Sequence, residues 1–266
     1  MPRTVSHERV RTAFNQRVLT WLAIGIFFFL YLPIIVLVIY SFNDNRSVSV
    51  WTGFTTKWYV QLLSDRALIN ALRVSLWVAV WSTLIATIMG TLAALALERH
   101  RFRGRLTYDA ALYLPVIIPD IVMALSTLLF FVIVAVPLSR YTILVTHVAF
   151  NIAFVAVVVR ARLAEMDSSL EEAAADLGAD TWTTFRRVTL PLLMPGIVSG
   201  ALLAFTLSLD DFVITFFVSG PGSTTLPVRV YSMIKFGVTP EVNAISTLML
   251  LGSTVLVVIS LLLQRK

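Results

Sequence analysis

Along this chain apolar residues do not alternate with polar ones but run in long blocks, at residues 19–40, 71–97, 112–136, 143–159, 192–218 and 244–263. Each is long enough to carry a helix across a hydrocarbon layer, which takes about 17 to 25 residues, more when the helix is tilted. No water reaches that layer, so the backbone must satisfy its own hydrogen bonds, and separate blocks of this length do so as helices. The pattern predicts an all-α, polytopic membrane protein with six transmembrane helices. It is read as one domain over residues 1–266, with an N-terminal tail at 1–18 and a polar loop at 161–191.

Breaks in the pattern are as informative as the blocks. Span three carries Pro115 and Pro119, four residues apart, and each removes a backbone donor and frees a carbonyl one turn back. A kinked or broken helix is expected, serving either a water-filled route or helix packing alone. Between spans one and two, residues 43–69 predict an outer loop. The run from Lys57 to Leu63 forms a short interfacial helix there with an aromatic rim, for membrane anchoring or for a partner.

Charge changes the picture by where it lies. The formal net charge is +6, which alone would admit a nucleic-acid partner. With the N-terminus inside, however, Arg3, Arg9, Arg11, Arg17, Arg99, Arg101, Arg103, Arg105, Arg160, Arg162, Arg186, Arg187, Arg265 and Lys266 all fall on the inner side, fourteen of the 21 Lys and Arg residues. That bias is the orientation signal of a membrane protein with both termini cytoplasmic, and no nucleic acid is called for. The first apolar block is too long for a secretory leader and runs on without a cleavage site, so it reads as an uncleaved span. Without cysteine there is no disulfide framework and no thiolate metal site.

The polar loop between spans four and five carries its own local code. Ser168 with Glu171 three residues on matches a capping box, so a short helix should start near Ser169. Gly178 fits the left-handed residue that ends it, and Asp180 or Thr181 can cap a second helix through Trp182, Phe185 and Val188 before Pro191. Leu170, Ala173, Ala174 and Leu177 share one apolar face of the first helix, too small for a core and therefore a docking face.

Carboxylates inside a membrane are functional candidates, because each costs roughly 2.5 to 3.5 kcal/mol to insert. Asp120, Asp210 and Asp211 are the three here. Gly200, Ala204, Ser208, Asp211 and Thr215 make one small, polar stripe, expected to face away from lipid and to line a path, while Asp210 looks toward a neighbouring span or a partner. Such acids suit a cationic substrate. Trp77 and Trp81 either offer aromatic faces to a passing ammonium or pack against lipid. His147 reads as an interhelical donor. Paired with Asp120 it would instead suggest an ion- or proton-coupled secondary carrier. An intramembrane enzyme would need a nucleophile with a base or a metal cluster, and His7, His100 and His147 are scattered with no such constellation.

The spacing Glu172-Ala173-Ala174, Gly178, Val188-Thr189-Leu190-Pro191 resembles the EAA loop of membrane subunits of bacterial ABC importers, departing only in Val188 where Ile is usual. The resemblance implies a type I permease whose loop inserts into a cytoplasmic ATPase. Glu172, Ala173, Ala174, Gly178, Leu190 and Pro191 would then be the coupling residues. The chain has no glycine-rich phosphate loop of its own, so ATP and Mg would be bound by the partner and no cofactor by this subunit. The runs Phe205 to Phe212, Ser219-Gly220-Pro221-Gly222, Thr225-Leu226-Pro227 and Pro119-Asp120-Ile121-Val122-Met123-Ala124 make the chain similar to spermidine/putrescine permeases from about residue 20 to 255. That implies a bacterial inner-membrane complex of two permeases, two ATPases and a periplasmic binding protein, with polyamine passing by alternating access. Asp120, Asp210, Asp211 and Ser208, with Trp77 and Trp81, would line the route.

Overall fold

Small residues decide where the helices of this protein meet. The computed structural model describes the backbone of residues 4–235 and 237–264, and side chains for residues 16, 18–235 and 237–258. Arg3, Arg265 and Lys266 of the predicted inner charge lie outside the described residues, as do the side chains of Arg9, Arg11 and Arg17. The helices are α1 (Thr4–Tyr40), α2 (Lys57–Ser64), α3 (Arg66–Arg99), α4 (Arg105–Ile117), α5 (Asp120–Ile133), α6 (Arg140–Glu165), α7 (Ser169–Asp176), α8 (Thr181–Thr184), α9 (Leu190–Asp210), α10 (Val213–Val218), α11 (Leu226–Ile234) and α12 (Pro240–Gln264).

The centre is the triple packing of α3, α6 and α9. A Cβ on Gly90 of α3 would lie 2.8 Å from the Val155 Cβ and 2.9 Å from the Ile152 carbonyl oxygen of α6, and one on Gly196 of α9 would lie 2.7 Å from the Arg162 Cβ. Close backbone approach of this kind replaces the hydrophobic effect as the adhesive between helices in lipid. Gly90→Val is therefore expected to push α3 from α6 and cost about 1 to 3 kcal/mol, read as a lower unfolding midpoint of the detergent-solubilised protein. α1 packs on α12 and leaves Trp21, Phe28 and Phe29 uncovered within this chain.

Five helical stretches are long and apolar enough to cross a membrane, and the pair α4 and α5 makes a sixth when the two are counted as one broken span. These two are bent by 111° at Ile118–Pro119, far more than a kink. The Ile118 N–H still reaches the Leu114 carbonyl, but Pro119 has no N–H to continue the ladder, and α5 restarts from it.

Span five departs from expectation at both ends. The predicted second loop helix does not stop before Pro191: α8, a π-helical turn at Phe185–Thr189 and α9 form one 30-residue run, Thr181–Asp210. The wide turn closes with the Leu190 N–H on the Phe185 carbonyl, so that Pro191 falls in the first turn of α9, where its missing donor does no harm. At the other end, the predicted continuous block to Val218 is interrupted. Asp211 is extended, and α10 starts anew at Val213.

On the predicted outer side, α2 forms as expected, but Trp58 is not part of an aromatic rim. It is buried with Leu62 against Leu226, Val242 and Ile245, and its indole N–H donates to the Asn43 carbonyl at 2.7 Å. The exposed aromatic residues of that loop are Trp51 and Phe54.

Candidate functional site: a capped hairpin and a broken span

The hairpin at residues 167–189 is built from local signals. α7 starts at Ser169, as the sequence suggests, but the predicted capping box is absent. Ser168 is helical with no side-chain cap, and the cap comes from Asp167, whose Oδ1 accepts the Ser169 N–H at 2.9 Å. Glu171, the expected other half of the box, is instead drawn to Arg99 at the end of α3 by a paired contact, Nη2 to Oε1 at 2.7 Å, and it accepts the Thr189 hydroxyl at 2.6 Å. A guanidinium offers a carboxylate two charge-assisted bonds, which outweigh one bond to a backbone amide.

α7 ends at Gly178, whose φ of +84° is the left-handed conformation that glycine adopts without strain. Asp180 then accepts the Thr183 N–H at 3.3 Å to open α8. The Ser169 N–H holds the Asp167 carboxyl, and the Thr183 hydroxyl with its N–H the Asp180 carboxyl, below the usual carboxylate range, so both caps are charged at neutral pH. The apolar face of α7 finds no cover in this chain: Leu177 is 89% exposed, Leu170 and Ala173 are exposed, and only Ala174 is half-buried. Glu172 points into open surroundings, and of the two residues that close the motif, Leu190 is half-buried and Pro191 exposed.

Inside the membrane region, the break in span five is held by His147 of α6. Its Nδ1 lies 2.7 Å from the Ser208 Oγ, and its Nε2 lies 3.2 Å from Asp211 Oδ2 and 3.1 Å from Thr215 Oγ1. Ser82 of α3 donates to Ser208 at 3.0 Å, leaving the Ser208 hydroxyl proton for Nδ1. The imidazole then carries its proton on Nε2 and donates to Asp211. Asp211 also accepts the Ile214 and Thr215 N–H groups, at 3.2 and 2.7 Å, and so caps α10. Four helices meet in this chain of bonds, and the Asp211 side chain is only 9% exposed. The stripe Gly200, Ala204, Ser208, Thr215 does turn inward, but what it meets in this chain is packed protein: Gly200 faces Val155 of α6.

Residues 86–266 match the family described as binding-protein-dependent transport system inner membrane component. The chain belongs to that family. It is 45% identical over 241 residues to the spermidine/putrescine transport system permease protein PotC of Escherichia coli (strain K12), covering 91% of each chain. It is 50% identical to the putrescine transport system permease protein PotI of the same strain, covering 84% of this chain and 82% of that one. The fold is that of a bacterial ABC transporter involved in the import of the acidic polysaccharide alginate, with a TM-score of 0.71, 19% identity and 97% of both chains covered. This permease is thus a multi-pass inner-membrane protein of the ABC importer class.

The other predicted site residues of the permease are scattered. Asp120 stands exposed in the first turn of α5, where the helix dipole favours a carboxylate. The suggested pairing of Asp120 with His147 does not form, because His147 is engaged by Asp211. Trp77 is half-buried with its face already taken by a cation, the Arg140 guanidinium 4.9 Å from the ring centre, while Trp81 is exposed on the outward side of α3. Asp210 sits at the edge of a cleft of about 450 Å³ between α9, α11 and α12, with the Ser253 Oγ 3.5 Å from both its oxygens. Phe212 and Tyr231 line that cleft with ring centres 4.6 Å apart. The sequence pattern did not reveal this aromatic pair, although Phe212 directly follows the two acids. No helical period links it to Tyr231, which lies beyond the break.

Proposed function

We propose that this chain is a transmembrane subunit of a polyamine importer. It would pass spermidine, putrescine or a related small cation inward by alternating access, while partner ATPases bind and hydrolyse ATP. The observation that carries the reading is the capped hairpin, whose uncovered apolar face and free Glu172 need a partner. The likeness to PotC and PotI supports the cargo. The lysine and arginine bias supports cytoplasmic termini, and the bare flanks of α1 fit lipid and a second permease. The lack of a glycine-rich phosphate loop in the sequence supports a motor supplied by partner subunits. The outer loops hold more basic than acidic residues, so a separate periplasmic binding protein would deliver the cation.

The test is uptake of labelled putrescine or spermidine into proteoliposomes holding this chain with its ATPase and second permease, with loaded binding protein outside the outer face. ATP-dependent accumulation is expected. Uptake that follows a proton gradient and persists without the ATPase would replace this reading with a secondary carrier.

Of the two acids left open, Asp120 and Asp210, the second is the better placed for the cargo: it is free of basic partners among the described residues and lines a cleft with Phe212 and Tyr231. Asp210→Asn keeps the shape and removes the charge. It should lower polyamine uptake about tenfold with assembly intact, the loss expected when an ammonium gives up one carboxylate contact of about 1.4 kcal/mol. Full uptake by this variant would take Asp210 off the route.

A further inference from the structure

The hairpin is tied to the membrane bundle twice, and the second tie uses none of the six coupling residues named for the loop. The first tie is covalent: α8, the π-helical turn and α9 run on without a gap. The second crosses from α7 to a different span. Glu171 reaches the end of α3, where Arg99 holds it with two guanidinium nitrogens, and Thr189 in the π-helical turn donates its hydroxyl to the same carboxylate. Glu171 is mostly covered, its side chain 17% exposed, and Thr189 is buried. These three residues stand on the rim of a cleft of about 930 Å³, whose walls include Leu92 and Leu95 of α3 and Trp182 and Phe185 of the hairpin. Here α3 and the hairpin are joined across an opening by long side chains rather than by packed helix faces.

From this geometry we infer that Arg99, Glu171 and Thr189 form a strut that passes movement of the hairpin to span two, so that spans two and five shift together. Arg99 and Glu171 are positioning residues: neither faces the uncovered side of α7 that carries Glu172. Thr189 sets the direction of the strut. Its hydroxyl fixes the Glu171 rotamer, and the π-helical turn places that hydroxyl one step further round the helix than an α-helical ladder would. An ion pair at such a site is weak as a source of stability, because it is partly solvated. It is strong as a link, since a two-nitrogen contact resists rotation in a plane. The inference rests on the reading of the hairpin as the ATPase contact.

The experiment uses the assembled complex in proteoliposomes and measures three things together: ATPase retained on the membrane subunits, ATP hydrolysed, and polyamine taken up. Glu171→Gln and Arg99→Gln are each expected to keep the ATPase bound while uptake per ATP falls about fivefold, the size of a lost coupling contact. The reversed pair, Arg99→Glu with Glu171→Arg, should recover most of that loss, because the Thr189 oxygen can accept from the new guanidinium. Unchanged uptake per ATP in both single variants overturns the strut. So does release of the ATPase by either one, which would make the pair a docking element, and so does a reversed pair as poor as the singles. Glu172→Lys serves as the comparator. If it alone impairs uptake, the strut fails and the coupling hairpin stands. If neither position responds, the hairpin reading falls with it.

Discussion

Glu172→Lys is expected to bring ATP-driven uptake to background, a loss of about 30-fold or more, while the permease itself still inserts and folds. The folding half of this expectation follows from exposure: the Glu172 side chain makes no hydrogen bond or ion pair among the described residues, so nothing within the chain depends on its charge. The functional half follows from what a partner must do with it. A carboxylate brought into an interface beside an apolar patch is desolvated, and it is tolerated there only against a cation or several N–H groups. Reversing its charge leaves that cation facing another, at a cost of about 2 to 5 kcal/mol in the complex. The check is the pair of measurements, ATPase co-purification and uptake. Wild-type values for both would remove the acidic residue from the coupling contact.

The largest effect on the permease alone is expected at His147. His147→Ala takes away the imidazole that meets Asp211 and leaves a carboxylate with 9% exposure beside a cavity. Removing one member of a buried charged or charge-assisted pair costs about 3 to 5 kcal/mol. A drop of roughly 10 °C in the unfolding midpoint is the expected scale. Lost packing would produce a similar number, so the discriminating variant is the double one. Asp211→Asn in the His147→Ala background removes the orphaned charge and should restore part of the stability, giving a coupling of at least about 1 kcal/mol. Strict additivity would mean that the two residues are only neighbours. The same network sets the adjacent acids apart, since Asp211 holds the break in span five while Asp210 meets only the Ser253 hydroxyl among the described residues.

How far the sequence could be read followed the range of each interaction. The hairpin was legible because its parts are local: Gly178 ends α7 in the left-handed region, and Asp180 caps α8 within three residues. The apolar blocks were legible for the same reason, each being a property of one segment. The capping box failed because Glu171 had a better partner, Arg99, across the fold. Pro191 suggested a helix end, and the π-helical turn before it absorbed the missing donor instead. The break at Asp211 is invisible to periodicity, since Asp210 and Asp211 lie inside an unbroken apolar block. What opens the helix is a set of bonds from α6 and α10 to one carboxylate. Only the partnership of His147 with Asp211 would have shown it, and the two are 64 residues apart.

The unbroken 30-residue run from Thr181 to Asp210 has a mechanical meaning. At 1.5 Å per residue it is a rod of about 45 Å, continuous with the polar hairpin at one end and finishing at the break held by an imidazole at the other. Tilting such a rod by about 10° displaces one end by about 8 Å relative to the other, more than the width of a methylammonium group, so in the proposed importer a modest rocking of the hairpin against the bundle would be enough to open or shut a passage sized for a slender amine.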